Sequence, residues 1–276
     1  MPEGDSLHRI AQRIAPLLVG QTVVRVSLPR ATQRTEGLEG ATVVGVEARG
    51  KNLLVHFSTG HSLHVHLKMR GRVDVAAPHR SAGGEVVATI ETATHAIVVR
   101  SAPVARLLRT VDVVRDLAFR DLGPDLLGPT FDESEALRRL RQRAHLALGE
   151  ALLDQGGVAG IGNVWKSELC FNLRLDPFAS VALYSDDELR ALVRLAREQL
   201  RENVDAPRRT LPDPFELRGS PRVARRDRRA GESRLSVYER GGEPCFDCGA
   251  TIERRAQGSP ARSTYLCPGC QPPRTS

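Results

Sequence analysis

The chain reads as an α+β protein on three observations: apolar residues at helical spacing near its start, short alternating runs from about residue 22 to 117, and a return to helical periodicity after residue 123. At 276 residues it is long enough for two domains, or equally for one compact domain with a small appendage, and it can bury a sizeable core. The expected parts are an N-terminal helix and antiparallel β-sandwich domain at 1–122, a helical domain at 123–205, an arginine-rich flexible segment at 206–234 and a cysteine module at 235–276.

Leu7, Ile10, Ala11, Ile14, Leu17 and Leu18 predict an amphipathic helix over 5–18. Pro16 should kink or end it, because its ring nitrogen carries no N–H. Alternating or β-branched runs follow at 22–28, 42–48, 53–57, 61–67, 85–91 and 96–100, with turn signals such as Ser58-Thr59-Gly60 and Gly83-Gly84. Such runs suit an antiparallel sandwich or barrel. Beyond Gly123-Pro124-Asp125, Asp132 and Glu135 suit a capping box ahead of 136–143, a second helical segment runs through 145–153, and a third follows Gly160-Ile161-Gly162-Asn163. Ser185 and Glu188 form the next capping box, before Leu189, Leu192, Val193, Ala196 and Leu200. Residues 206–234 hold nine arginines, four acids and four prolines without a period, which predicts a flexible linker, or a segment that folds onto nucleic acid.

No stretch approaches the ~20 apolar residues that span a bilayer, and Met1-Pro2-Glu3-Gly4-Asp5 lacks the basic patch and hydrophobic run of a secretory signal. The expectation is a soluble, cytoplasmic protein, without a membrane partner and monomeric. Lysine and arginine together number 40 against 33 acids, a net charge of +7 gathered towards the C-terminal end. A basic balance attracts phosphate backbones, although a charge run is often just a solvated face. Only Lys51, Lys68 and Lys166 are lysines. In a sequence that otherwise chooses arginine, each is either kept for its compact ammonium or a chance survivor of a composition bias.

Cys245-Phe246-Asp247-Cys248 and Cys267-Pro268-Gly269-Cys270 are two C-x-x-C pairs with 18 residues between them, the spacing of a four-thiolate Zn2+ site. Four thiolates leave no open coordination position, so one zinc ion there would be structural and would not activate water. Redox pairs or disulfides are the alternative and suit a cytosolic chain less well. Short β-like stretches between Thr251 and Leu266 predict a hairpin, whose polar tip would carry Arg262 on a rigid base. Cys170 lies among apolar residues and reads as core. His64 and His66 share one strand face, but with no third ligand nearby they read as hydrogen-bonded or solvent-facing rather than as metal ligands.

Four separated segments resemble the Fpg/Nei family, formamidopyrimidine-DNA glycosylase and endonuclease VIII. They are Met1-Pro2-Glu3-Gly4, Arg49-Gly50-Lys51, Gly160-Ile161-Gly162-Asn163-Val164-Trp165, and the run from Arg262 through Cys267-Pro268-Gly269-Cys270 to Gln271. In order and spacing they cover nearly the whole chain. The likeness is greater to the endonuclease VIII branch, through Pro2-Glu3-Gly4 and Gly242-Glu243-Pro244-Cys245. The resemblance implies an N-terminal helix and β-sandwich, a helix-two-turns-helix domain and a zinc finger. It also implies a bifunctional DNA glycosylase and abasic-site lyase of base excision repair, with damaged DNA as partner and oxidised pyrimidines ahead of purines as substrates.

Once Met1 is removed, Pro2 would be a secondary amine titrating at about 7.7–8, partly neutral at pH 7 and able to attack the sugar anomeric carbon. The resemblance then implies an iminium intermediate and β,δ-elimination. Taken alone, Pro2 could equally be a residue that merely permits Met removal. Glu3 suits proton transfer at the sugar, or, more plainly, is a helix N-terminal acid favoured by the dipole. Ser6 departs from the family, in which many members carry a second Glu, and Asp5 lies one residue early. By resemblance Lys51 contacts the phosphate beside the lesion, and Met69-Arg70-Gly71, just after the DNA-binding Lys68, resembles the loop that fills the gap left by an extruded nucleotide, whose lost stacking costs a few kcal/mol. Asn163 and Lys166, at a helix start, would hold a phosphate, and Arg262 would grip phosphates through its guanidinium fork. Two other classes stay open: a catalytically weak or silent damaged-DNA-binding protein on the same fold, and a zinc-ribbon interaction module, which accounts for the cysteines but not for Pro2-Glu3.

Overall fold

The computed structural model describes residues 2–29, 35, 37–79, 83–206 and 235–275. Met1 and, from residue 207 on, the segment expected to be flexible lie outside the described residues. The chain divides into two compact units, Met1–Leu122 and Gly123–Ser276.

In the first unit α1 (Gly4–Leu18) is followed by eight strands: β1 (Val23–Ser27), β2 (Val43–Arg49), β3 (Asn52–Phe57), β4 (His61–His66), β5 (Arg72–Ala76), β6 (Val86–Thr92), β7 (Ala96–Arg100) and β8 (Val104–Arg109). They form two antiparallel sheets, ordered β1-β6-β7-β5 and β2-β3-β4-β8. Val26, Ile90 and Val99 from the first sheet share one core with Val43, Val55 and Leu63 from the second and with Leu7, Ala11, Ile14 and Leu18 of α1. Two sheets around one core make a sandwich, not a closed barrel. The helix contains Pro16 and stops two residues later, within the turn that a missing N–H weakens.

Neither β5 nor β8 is among the strands expected from the sequence, and both are sheet edges. Arg72 and Asp74 in one, Arg106 and Arg109 in the other, interrupt the apolar pattern. Edge strands accept such charges because one side faces solvent. Residues of β3 and β4 that point away from the core are covered by a 3-10 helix, Thr110–Arg115, and by Phe119, which pack on Leu54 through Val113.

The second unit holds α2 (Glu133–Arg141), α3 (Leu148–Leu153), α4 (Asn163–Asn172), α5 (Asp186–Asp205) and a hairpin of β9 (Glu253–Gln257) and β10 (Arg262–Leu266). The Ser185–Glu188 capping box is complete. The other is half made: Asp132 accepts the Glu135 N–H, but the Glu135 carboxylate is taken by Arg138 and Arg139. The segment expected over 145–153 is helical only from Leu148. All ten residues of α4 are buried. Trp165, Leu169 and Cys170 enter the helical core, while Phe171 packs with Cys245, Ile252, Cys267 and Cys270. Among the described residues no helix is long and apolar enough to cross a membrane.

Candidate functional site

In the first unit, Glu3 is the N-cap residue of α1 and is fully buried, with Pro2 half-buried just before it. The Glu3 carbonyl accepts the Leu7 N–H at 3.1 Å, which ties the residue next to Pro2 to the core. Asp5 is also fully buried, and Ser6 Oγ donates to Asp5 Oδ1 at 3.4 Å. The second interior acid of this turn is therefore Asp5.

The other end of α1 is fastened to β2: Gly20 N–H donates to Val43 O at 2.9 Å and Val43 N–H to Gln21 O at 3.0 Å. The helix packs chiefly on β2. Its 15 residues rise about 22 Å and the 7 of the strand about 23 Å, so the helix is long enough to run alongside β2 to its far end. There the chain turns through Gly50-Lys51 into β3, with Gly50 at the positive φ of 57° that a two-residue hairpin turn requires.

Behind Lys51 lies a polar row whose inner members, Asn52 and His64, are buried. Asn52 Nδ2 donates to Arg49 O at 3.2 Å, and His64 Nε2 donates to Asn52 Oδ1 at 2.9 Å. Arg106 Nε donates to His64 Nδ1 at 3.2 Å and Arg106 Nη2 pairs with Asp116 at 2.5 Å. With one ring nitrogen donating and the other accepting, His64 is neutral. Burial first, and then the Arg106 charge, push its pKa down to about 4.

His66 lies two residues further along the same strand face. Its Nδ1 accepts the Lys68 N–H at 3.1 Å, and burial, helped by the Lys51 and Lys68 ammonium groups, pushes its pKa down to about 4. The fold thus gathers Lys51, His66 and Lys68 into one basic cluster around a neutral imidazole. Sequence reasoning missed His66 as a member; its signal was its place immediately before Leu67-Lys68-Met69. Lys68 adopts a left-handed φ of 48°, a conformation that costs about 1–2 kcal/mol. Gly71 closes the turn by donating to Leu67 O at 2.9 Å, and a Cβ on it would lie 2.6 Å from that oxygen. The loop so pinned leaves Lys68, Met69 and Arg70 exposed, Met69 at 60%.

In the second unit, Gln155 shapes the turns before α4. Its Nε2 donates to Leu153 O at 2.9 Å and Ile161 O at 3.1 Å, and its Oε1 accepts the Gly160 N–H at 3.1 Å. Gln155 is a second residue that pattern reading missed, since nothing in its neighbourhood marks an amide that bonds to three backbone groups. Asn163 then opens α4, and its Nδ2 donates to Ser263 O at 2.6 Å. An amide nitrogen has two hydrogens, so one is left for a ligand. Exposed Arg262 precedes Ser263, so the fold brings Asn163 and Arg262 together.

Lys166, expected beside Asn163 as a DNA-binding residue, lies in the interior of the second unit. It is fully buried, and its Nζ donates to Thr264 Oγ1 at 2.6 Å and to Ser263 O at 3.4 Å. Three residues beyond Asn163 on the helix, it shares the face that β10 covers.

The sulfurs of Cys245 and Cys270 stand 3.9 Å apart, those of Cys248 and Cys267 3.4 Å, and all four lie within 4.8 Å of one another. A disulfide would need about 2.05 Å, so neither pair is bridged. Four sulfurs about 2.3 Å from a common ion would stand about 3.8 Å apart, and the donor set fits a tetrahedral metal. Among the described residues, His64 and His66 belong to no such cluster. Cys170 is buried, and burial pushes its thiol up to about 12, which leaves it inert near neutrality.

A helix-capped antiparallel sandwich, followed by a helical unit that shares its central helix with a four-cysteine hairpin, defines the class of protein. Two family models match the chain: the formamidopyrimidine-DNA glycosylase N-terminal domain over residues 1–122 and the formamidopyrimidine-DNA glycosylase H2TH domain over residues 122–213. The chain is 40% identical to the "Probable endonuclease 8 2" of Streptomyces coelicolor, covering 98% of this chain and 94% of that one. It is 37% identical to the "DNA-(apurinic or apyrimidinic site) lyase Nei2" of Mycolicibacterium smegmatis, over 98% and 99%. Among solved structures, the formamidopyrimidine-DNA glycosylase of Lactococcus lactis, non-covalently bound to abasic-site DNA, superposes with a TM-score of 0.80 at 21% identity, covering 98% of this chain and 100% of that one, a likeness of fold. The chain belongs to the Fpg/Nei family.

Proposed function

We propose that this protein is a bifunctional DNA glycosylase and abasic-site lyase of base excision repair, acting on damaged DNA with Pro2 as nucleophile. The observation that carries the reading is Pro2 standing next to fully buried Glu3 at the start of α1. Freed of Met1, the Pro2 secondary amine attacks the sugar anomeric carbon, and the glycosidic bond breaks with its electron pair leaving on the base. Glu3 moves the proton that opens the sugar ring, which yields an iminium. Loss of the sugar proton next to the iminium then expels the 3′ phosphate and forms a double bond, and loss of a second proton, from the carbon conjugated with the iminium through that bond, expels the 5′ phosphate.

Lys51 and the Lys68 turn supply positive charge for the sugar-phosphate backbone, and Met69 supplies an apolar wedge for the space an extruded nucleotide leaves. Asn163 and Arg262 grip phosphate from the second unit. Cys245, Cys248, Cys267 and Cys270 hold one structural Zn2+, which stiffens the base of the hairpin and takes no part in the chemistry. The names of the Streptomyces and Mycolicibacterium relatives favour the endonuclease VIII branch, and with it oxidised pyrimidines as substrates.

Borohydride reduction in the presence of duplex DNA with one abasic site tests the reading. The expected result is a covalent adduct from Met-free protein that disappears when Pro2→Gly is combined with N-terminal blocking. DNA binding without any adduct would replace the enzyme with a silent lesion binder.

A further inference from the structure

Lys166 is fully buried in a chain with only three lysines, and an interior ammonium is costly unless its hydrogens are placed. The network around it shows why a donor is needed there. The Pro177 carbonyl can only accept, so Gln257 turns its Nε2 towards it, at 2.7 Å. That leaves Gln257 Oε1 to face Thr264, whose hydroxyl donates to it at 2.8 Å. With its proton committed, Thr264 Oγ1 can only accept, and Lys166 Nζ donates to it at 2.6 Å while also reaching Ser263 O at 3.4 Å. The polarity of the chain ends on a group with several hydrogens and no lone pair, which is an ammonium.

The neighbours of Lys166 on α4 act on the same strand. Asn163 Nδ2 donates to Ser263 O at 2.6 Å. Ser167 Oγ accepts the Tyr265 N–H at 3.3 Å and donates to Asn163 O at 3.1 Å. Residues 163, 166 and 167 therefore hold 263, 264 and 265, and the next residue towards the hairpin tip is Arg262.

We infer that Lys166 is a positioning residue: held inside the protein rather than on DNA, it locks β10 against the start of α4 so that Arg262 and Asn163 address one phosphate together. This rests on the proposed role of Arg262 and Asn163. A compact ammonium serves a hydroxyl and a carbonyl from one point, whereas a guanidinium is a wide planar fork and a methionine has no donor.

The test is a double-mutant cycle on the zinc-loaded full chain, titrated with a duplex containing a tetrahydrofuran abasic-site analogue over a range of salt concentrations. Arg262→Ala is expected to weaken binding about tenfold and to lower the salt slope by about one, the loss of one phosphate contact. Lys166→Met should do nearly the same with its zinc retained, yet change affinity less than about twofold once Arg262 is already alanine. An equal loss from Lys166→Met in both backgrounds overturns the inference, and a salt slope that falls again in the double mutant returns Lys166 to direct phosphate contact. No effect of Arg262→Ala alone would instead refute the phosphate reading beneath it. Should Lys166→Met fail to hold zinc or fold, Thr264→Val removes the acceptor of the same bond and reads the same coupling.

Discussion

The Glu168 carboxylate accepts the backbone N–H of Val237 at 2.9 Å, and with it those of Ser236 and Tyr238 at 2.8 Å each. Three successive amides that could cradle an outside anion are thus filled by an internal one. Burial pushes the Glu168 carboxyl pKa up, and the three amide donors act against that rise. The contact delivers the chain to buried Arg240, whose guanidinium donates to Ser236 O at 2.5 Å and Pro244 O at 2.7 Å and stacks 3.3 Å over Phe246 within the first cysteine pair. Glu168→Gln keeps the shape but sets an NH2 against an N–H. It should lower the stability of the second unit by about 1–3 kcal/mol, read as a lower urea midpoint and faster zinc loss. A midpoint equal to the parent's would deny Glu168 this role.

Zinc removal should act on one unit. The core under the hairpin is small, with Phe171, Val237 and Ile252 beside three of the cysteines, so a metal held there would supply much of its stability. Chelation is expected to abolish tight DNA binding while the sandwich core of the first unit stays protected from hydrogen exchange. Loss of protection in both units together would show that the metal supports more than the hairpin.

Glu3→Gln should leave DNA affinity within about twofold and reduce turnover by roughly 10²–10⁴, the usual worth of a positioned proton-transfer group. Affinity and rate falling together would make Glu3 structural.

Met69→Ala should slow excision of a damaged base from duplex DNA, because extrusion costs a few kcal/mol that the wedge offsets. Cleavage at a ready-made abasic site in a single strand needs no such wedge, and its rate should hardly change. Equal slowing on both substrates would exclude a wedge role.

Acid stability should be set partly by His64 and His66, which titrate at about 4 in the fold and near 6.5 when unfolded. Between these values the unfolded chain binds more protons, so stability falls as pH drops from about 6.5 to about 4, by at most about 1.4 kcal/mol per pH unit for each. Half-exposed His66 contributes less, through solvent screening. Urea midpoints measured across this range should slope upward with pH, and His64→Gln should flatten the slope. An unchanged slope would mean that His64 is protonated in the fold.

Features with a local physical cause were legible in the sequence: the helix over 5–18 from its 3.6-residue period, six strands from alternation and turns, the Ser185–Glu188 cap, and a four-cysteine cluster from its spacing. Lys51, Lys68 and Met69 were legible as a group only through resemblance. The role of His66 beside them was not, because a histidine in an alternating run gives no sign of which charges the next turn will bring.

The sequence by itself determined the succession of helical and β regions and the donor set for a metal, since each depends on residues a few positions apart or on a repeated spacing. Tertiary structure alone decided the fate of α4. Asn163–Asn172 has five polar residues and no clean apolar stripe, so by pattern it reads as half exposed, yet every residue is buried. Its two charged groups are met by partners 68 to 98 residues away, such as Ser236 for Glu168 and Thr264 for Lys166. Burial of a charge is tolerable only where such partners converge, and convergence is a property of the folded chain.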